Sequence, residues 1–336
     1  MKISTDHIAA VEALGYTPDE ARFLYIVGTY SGYFLPRQFN AFAGAKWGSR
    51  SYNFTAKLES RGHVTWREYP PVGGVYHLFS STLYRVIDKE NLRNNRRHAP
   101  EFIRRRLVVL DFVIANQAYD YFETESHKVA YFCESLGIPK TALPAKPYVG
   151  SSRLEPTLRY FVDKFPVFLD GSAPSAQSQL TFSYVDAGQA SIAGFAHHLN
   201  SYKRLFLNLS DFHFLYVSNS PVHFVAAERC FARFTNHALR AGQSDELLRY
   251  FKLRRAWDEK QYGSLSTEDI EWLDEASGRL RGQETERHYS AWCAGELAGD
   301  TLAGHLDDLC RPPKFRFSTC LVSTGQTTAK ELSRTG

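Results

Sequence analysis

Residues 48–79 read GSRSYNFTAKLESRGHVTWREYPPVGGVYHLF, and this stretch decides how the first quarter of the chain folds. Ser49 is a good N-cap for the segment SRSYNFTAKLES, and Gly62 closes it. Within the segment Phe54 and Leu58 stand four apart as a buried stripe, while Arg50, Asn53 and Lys57, with Arg61 beyond, recur on another face. That face is polar and basic. Downstream, residues 64–69 and 75–79 read as two short strands around a Pro-Pro-Val-Gly-Gly turn, which makes a hairpin. Upstream, Thr17-Pro18 starts a helix over residues 18–30, with Ala21, Leu24, Tyr25 and Val27 on its apolar side, and Gly32 ends it. A second short helix is expected over residues 35–43.

Three helices followed by a hairpin, over about residues 14–84, resemble the winged helix-turn-helix family. The resemblance implies double-stranded DNA as partner, because a helix presenting Arg, Asn and Lys at helical spacing puts donors against base edges and phosphates in the major groove. The candidate contacts are Arg37, Gln38, Lys46, Arg50, Ser51, Asn53, Lys57 and Arg61, with Arg67 and Tyr69 reaching the backbone from the wing. Winged helices also serve as protein-interaction modules, which leaves a second reading open.

Residues 85–106, RVIDKENLRNNRRHAPEFIRRR, hold eight Lys or Arg against three acids, a local +5 within a chain whose net charge is +4. Behind a DNA-binding unit such a segment runs along phosphates, with Arg93, Arg96 and Arg97 as candidates; the other readings are a solvated linker or a segment paired with acids elsewhere. Residues 102–121 are apolar on nearly all faces, as expected of a buried dimer or interdomain helix. Another helix is expected over residues 126–136, where His127 and Cys133 lack partners at ligand spacing.

Residues 158–169 and 179–185 read as adjacent strands, followed by a helix over 192–207, a strand from 211 and a helix over 222–238. This β-β-α-β-α order, carried by FSYVDAGQASIAGFAHHLNSYKRLF, resembles the PD-(D/E)XK nuclease-like core, as attached to winged helices in replication-relaxation proteins of bacterial mobile elements. The resemblance implies an alternative function, a Mg²⁺-dependent DNA endonuclease with Asp163, Asp170 and Asp186 as metal-binding and catalytic acids and Lys203 as a displaced cation. The chain departs from that pattern at Gly188, two after Asp186, where the family carries a lysine. His198 and Tyr202 have the four-residue spacing of some related nucleases, but His197 and His198 read equally well as partly exposed helix residues. The sequence contains no G-x-S-x-G elbow, no phosphate-binding P-loop and no dinucleotide fingerprint.

These readings combine into an α+β chain of 336 residues: a winged helix-turn-helix at 1–84, a basic connector and helical middle at 85–150, a nuclease-like α/β domain with helical additions at 151–310, and a mobile tail at 311–336. The acidic region 241–306 is left to cover the second domain, contact the connector or form a dimer surface. Five scattered cysteines, Cys133, Cys230, Cys293, Cys310 and Cys320, argue for reduced, mostly buried thiols. No apolar run of membrane-spanning length and no signal-peptide pattern is present, so a cytoplasmic protein without a membrane partner is expected. The expected function is sequence-specific DNA binding, in transcription or maintenance of a mobile element. The protein would act as a homodimer, without cofactor, and its second domain would be catalytically silent and serve dimerisation or a protein partner.

Overall fold

The computed structural model describes residues 1–44, 49–70, 72–148, 157–171, 178–188, 191–297, 306 and 314–322, and the side chains of 238, 240 and 241 are left aside. Lys46 and Cys310 lie outside the described residues. The chain is a mixed α and β protein, with three sheets among the described residues.

The N-terminal unit begins with α1 (Thr5–Glu12) and α2 (Pro18–Tyr30). Thr17 caps α2 through a capping box with Glu20, two orphan N–H groups being satisfied reciprocally. Strand β1 (Tyr33–Phe34), α3 (Pro36–Phe42) and α4 (Ser49–Ser60) follow, then the antiparallel pair β2 (Val64–Tyr69) and β3 (Gly73–Leu78). The sheet order is β1-β3-β2, with Tyr33 opposite His77. Phe23 of α2 sits among Phe34, Phe39, Phe42 and Phe54, and Phe39 stacks on Phe54 at 4.2 Å. Burying each such ring stabilises the unit by roughly 1.5–3 kcal/mol, so aromatic packing between α2, α3 and α4 fixes how α4 is presented.

Helix α5 (Ser81–Val86) leads through the connector to α6 (Pro100–Ala115). The connector is built into the fold and is not a solvated linker. Lys89, about 5% exposed, pairs with Glu123 at 2.8 Å, and Asn94 donates to the carbonyls of Gly28 and Thr29 at 2.9 Å each, closing the end of α2. Gly32 makes this approach possible: its φ is +80°, and a β-carbon there would collide with the Asn94 carbonyl. Helix α6 packs between the N-terminal sheet and the main sheet. Ile103 and Leu107 pack with Tyr33, Leu35 and Val75, while Val108, Val109, Phe112 and Val113 join the core that continues into the main sheet.

That main sheet has the order β10-β9-β8-β7-β4. Its members are β4 (Asp120–Tyr121), β7 (Val167–Asp170), β8 (Gln179–Asp186), β9 (Asp211–Ser218) and β10 (Lys314–Leu321). β4, β7 and β8 pair antiparallel, and β8, β9 and β10 pair parallel. Helices α8 (Ile192–Ser201) and α9 (Lys203–Leu207) connect β8 to β9, as a parallel pair requires. Between β4 and β7 lie α7 (Glu125–Ala130), a wider helical turn at Tyr131–Ser135, and a separate two-stranded hairpin of β5 (Ala145–Tyr148) and β6 (Thr157–Tyr160). After β9 come α10 (Phe224–Arg233), α11 (Arg240–Asp258), α12 (Thr267–Leu280) and α13 (Gln283–Cys293).

Several expectations need correction. Residues 102–121 are not one helix: α6 stops at Ala115, and Asp120–Tyr121 pairs with β7. Residues 158–169 form two strands, because Phe161 (φ +49°) and Lys164 (φ +58°) turn the backbone through the left-handed region between them. The mobile tail cannot start at 311, since Lys314–Leu321 pairs with β9 along its whole length and places Phe317 4.9 Å from Phe231. For the acidic region, the described residues show a hydrophobic cluster of its own. Leu247, Tyr250, Phe251, Leu273, Ala276 and Tyr289 of α11–α13 form their own core, inserted between β9 and β10. Of the described cysteines, Cys133, Cys230 and Cys320 are half-buried and Cys293 is exposed, so the expectation of mostly buried thiols does not hold.

Candidate nucleic-acid interface

The side chains named from sequence on the N-terminal unit divide into those that hold the fold and those that face outward. Gln38 is fully buried; its Nε2 donates to the Leu107 carbonyl and its Oε1 accepts from the Leu35 N–H. Arg37 forks onto the buried carboxylate of Asp111 at 2.7 and 2.8 Å, a bidentate pair that ties α3 to α6. Ser51 is buried on the inner side of α4. These three are structural residues, and their assignment to a DNA contact is withdrawn.

Outward, α4 presents Arg50, Tyr52 and Asn53, with Tyr52 73% exposed. A groove of about 390 Å³ runs beside Arg50 and Asn53, walled by Thr17, Pro18, Asp19 and Glu20 at the start of α2. The bases of α4 are not free. Arg50 pairs with Asp19 at 2.5 Å, and Lys57 pairs with Glu20 at 2.6 Å. Arg61 donates to the Leu14 carbonyl, with its guanidinium 4.9 Å from the Tyr16 ring. The basic face read from the sequence is therefore largely neutralised by α2, because positions 19 and 20 come alongside 50 and 57 only in the folded unit.

The second element is β2. Thr65, Arg67 and Tyr69 share one face of the sheet with Val75, His77 and Tyr33, and exposed Arg97 of the connector closes over them. Arg67 is exposed, whereas Tyr69 packs with Val75, Ile103 and Leu107 and is only half-exposed. His77 is buried, which pushes its imidazole down to about 4 and keeps it neutral near Arg97. The rest of the connector's charge is spent internally. Arg106 is buried with Nη1 donating to the Tyr30 carbonyl, Arg104 donates to the Pro70 carbonyl, and Arg85 pairs with Glu90. Arg96 and Arg97 stay exposed.

Arg93 takes a different route. It adopts φ +57° and lays its guanidinium 5.5 Å from the ring of Tyr148 on β5; Arg159 of β6 lies 5.7 Å from the same ring. Lys146 stands directly across from Arg159 in the β5–β6 register. Lys146, Tyr148 and Arg159 went unnamed in the sequence, although KPY at 146–148 and LRY at 158–160 both place a base within two residues of an aromatic.

Two of the three aspartates, Asp170 and Asp186, lie far apart. Asp170 pairs with Gln179 at the start of β8, and Asp186 closes the same strand seven residues later, about 23 Å away at roughly 3.3 Å per residue. Asp163 accepts from Tyr202 Oη at 2.9 Å and from the Phe165 N–H at 3.1 Å, with His198 Nδ1 at 3.2 Å. The His198 contact, more than any other partner, holds the Asp163 carboxyl down at about 2 against the upward push of burial. Asp186, wholly buried, accepts from Tyr216 Oη and the Gly188 N–H. Lys203 lies against Gly242 of α11. His198 is buried and not a partly exposed helix residue, while His197 and His127 are exposed. A Mg²⁺ ion needs several convergent oxygens with open lone pairs, and these carboxylates are separated or already occupied by protein donors. They do not fit the ion.

No helix of the described residues is long and apolar enough to cross a membrane. No family model, curated protein or solved structure matches the chain.

Proposed function

We propose that this is a double-stranded DNA-binding protein whose N-terminal unit is a winged helix-turn-helix, α4 being the recognition helix and β2–β3 the wing. The observation that carries the reading is the order α2-β1-α3-α4-β2-β3 with the sheet order β1-β3-β2, which leaves Arg50, Tyr52 and Asn53 facing outward beside the strand pair. Helices entering the major groove present polar and cationic side chains of this kind to base edges, and exposed cations at the flanks hold phosphates. Arg67, Arg96 and Arg97 supply such cations here. The sheet domain, with Asp163 and Asp186 committed to tyrosine hydroxyls and backbone N–H groups, positions the recognition unit through α6 and takes no part in metal-dependent cleavage.

Selection from a random duplex library with the full chain, followed by anisotropy titration, tests the reading. A selected motif is expected, with Asn53→Ala relaxing preference at one base position by about 1–3 kcal/mol. Failure of the parent chain to bind any duplex in a salt-sensitive manner would remove the reading and favour a protein-interaction module.

A further inference from the structure

Hairpin β5–β6 stands apart from both main sheets, and all four residues of β5 are exposed. Its register places Lys146 opposite Arg159 and Tyr148 opposite Thr157, so the alternation of a strand puts these four on one face. Like charges directly opposite each other in an antiparallel pair destabilise it. Nothing within the described residues relieves this pair: neither Lys146, Arg159 nor the nearby Arg93 forms an ion pair there. Glu125 is turned to the Tyr160 N–H at 2.8 Å, and Asp163 faces inward to Tyr202 and His198. Arg93 and Arg159 both lie against the ring of Tyr148, which holds the two guanidiniums in place. Lys164 stands in the same neighbourhood, donating to the Leu92 carbonyl and to Asn94 Oδ1 at 3.1 Å. The ammonium of Lys164 is pushed down to about 7, by burial first and then by Arg106, Arg93 and Arg159, as expected in a strongly positive local field.

We infer that Arg93 and Arg159, held against Tyr148, together with Lys146 across from Arg159, form a second nucleic-acid contact that grips the phosphodiester backbone without reading bases. The inference rests on the DNA reading for its biological ligand, but its chemistry, a polyphosphate strand against fixed guanidiniums and one ammonium, is independent of α4. Cations held by an aromatic ring lose little conformational entropy when a phosphate arrives, and each phosphate neutralised changes the salt dependence by about 0.9 in the logarithmic slope.

The experiment compares the full-length parent, Lys146→Ala/Arg159→Ala, and Tyr52→Ala/Asn53→Ala, by anisotropy against a 30-base-pair duplex and against inorganic polyphosphate, which has no bases. The hairpin variant is expected to lose about 1.8 from the duplex salt slope and at least tenfold in polyphosphate affinity. The α4 variant should keep polyphosphate binding and lose only duplex preference. A third variant, Lys146→Glu, turns the like-charge pair into an ion pair, so it should melt higher than the parent while binding polyphosphate at least tenfold more weakly. Polyphosphate affinity unchanged within twofold in the hairpin variant, or absent from the parent, overturns the inference. Polyphosphate binding that depends on the hairpin in a parent with no duplex motif leaves this site standing and sinks the α4 reading instead.

Discussion

Replacing Asp19 by Asn and Glu20 by Gln should tighten DNA binding, and by an amount the structure sets. The two acids hold Arg50 at 2.5 Å and Lys57 at 2.6 Å, on the face that meets the duplex in our reading. Glutamine at 20 can still complete the capping box with Thr17, so the start of α2 should survive. If both freed cations reach phosphates, the slope of log K against log salt steepens by about 1.8. Over a fourfold change in salt, from 50 to 200 mM, that amounts to roughly a twelvefold factor. The variant's advantage over the parent should therefore be about tenfold larger at 50 mM than at 200 mM. Fluorescence anisotropy on a selected duplex at four salt concentrations measures it, with circular dichroism melting to show that the fold is kept. Parallel salt lines for the two proteins, or weaker binding by the variant at low salt, would refute the placement of α4 against DNA.

Three further outcomes follow from the packing and the buried charges. Phe54→Ala removes the ring stacked on Phe39 in the aromatic core of the N-terminal unit and should cost about 3–5 kcal/mol in urea unfolding; a loss below about 1 kcal/mol would contradict the core assignment. Burial depresses Lys164 to about 7 and Lys128 to about 8. The folded chain then releases protons that the unfolded chain retains, so stability should rise between pH 6.5 and 9, and Lys164→Met should flatten that rise. Asp163 has the opposite sign of charge and a folded pKa lowered from 3.8 to about 2, chiefly by His198. Its contribution, about 2 kcal/mol, is present above pH 4 and lost as pH falls through 2, so Asp163→Asn should cost more at pH 7 than at pH 2.5 by urea midpoint.

Local chemistry made some elements legible and hid others. The start of α2 was written in Thr17, Pro18 and Glu20, and the β2–β3 hairpin in its Pro-Pro-Val-Gly-Gly turn, because both depend on neighbours in sequence. β4 was not legible, since two residues become a strand only by pairing with β7. The alternation of Phe315 and Phe317 was a strand signal that the prolines and the Ser/Thr-rich end around it obscured. For the candidate interface, spacing correctly put Asn53 on the outer face of α4, but spacing carries no information on partners far along the chain. Arg37 meets Asp111, Arg50 meets Asp19 and Lys57 meets Glu20, so a run of positive residues in sequence did not become a run of free positive charge in space. The hairpin cations were overlooked for the converse reason: Arg93 is far in sequence from Lys146 and Arg159, and it joins them only by laying its guanidinium against Tyr148.

Helix α6 has buried contacts on both sides, with Ile103 and Leu107 against the N-terminal sheet and Phe112 against Phe168 of β7. Cutting the chain at residue 84 would strip Tyr33, Leu35 and Val75 of their cover, so the part we propose contacts DNA is smaller than the part that must fold to present it. Amide hydrogen exchange should accordingly protect α2, α6 and β8 to similar depth, as one cooperative block. A truncated recognition fragment would be a poor surrogate for the protein, and any ligand that loosens the main sheet acts on α4 through a wall the two halves share.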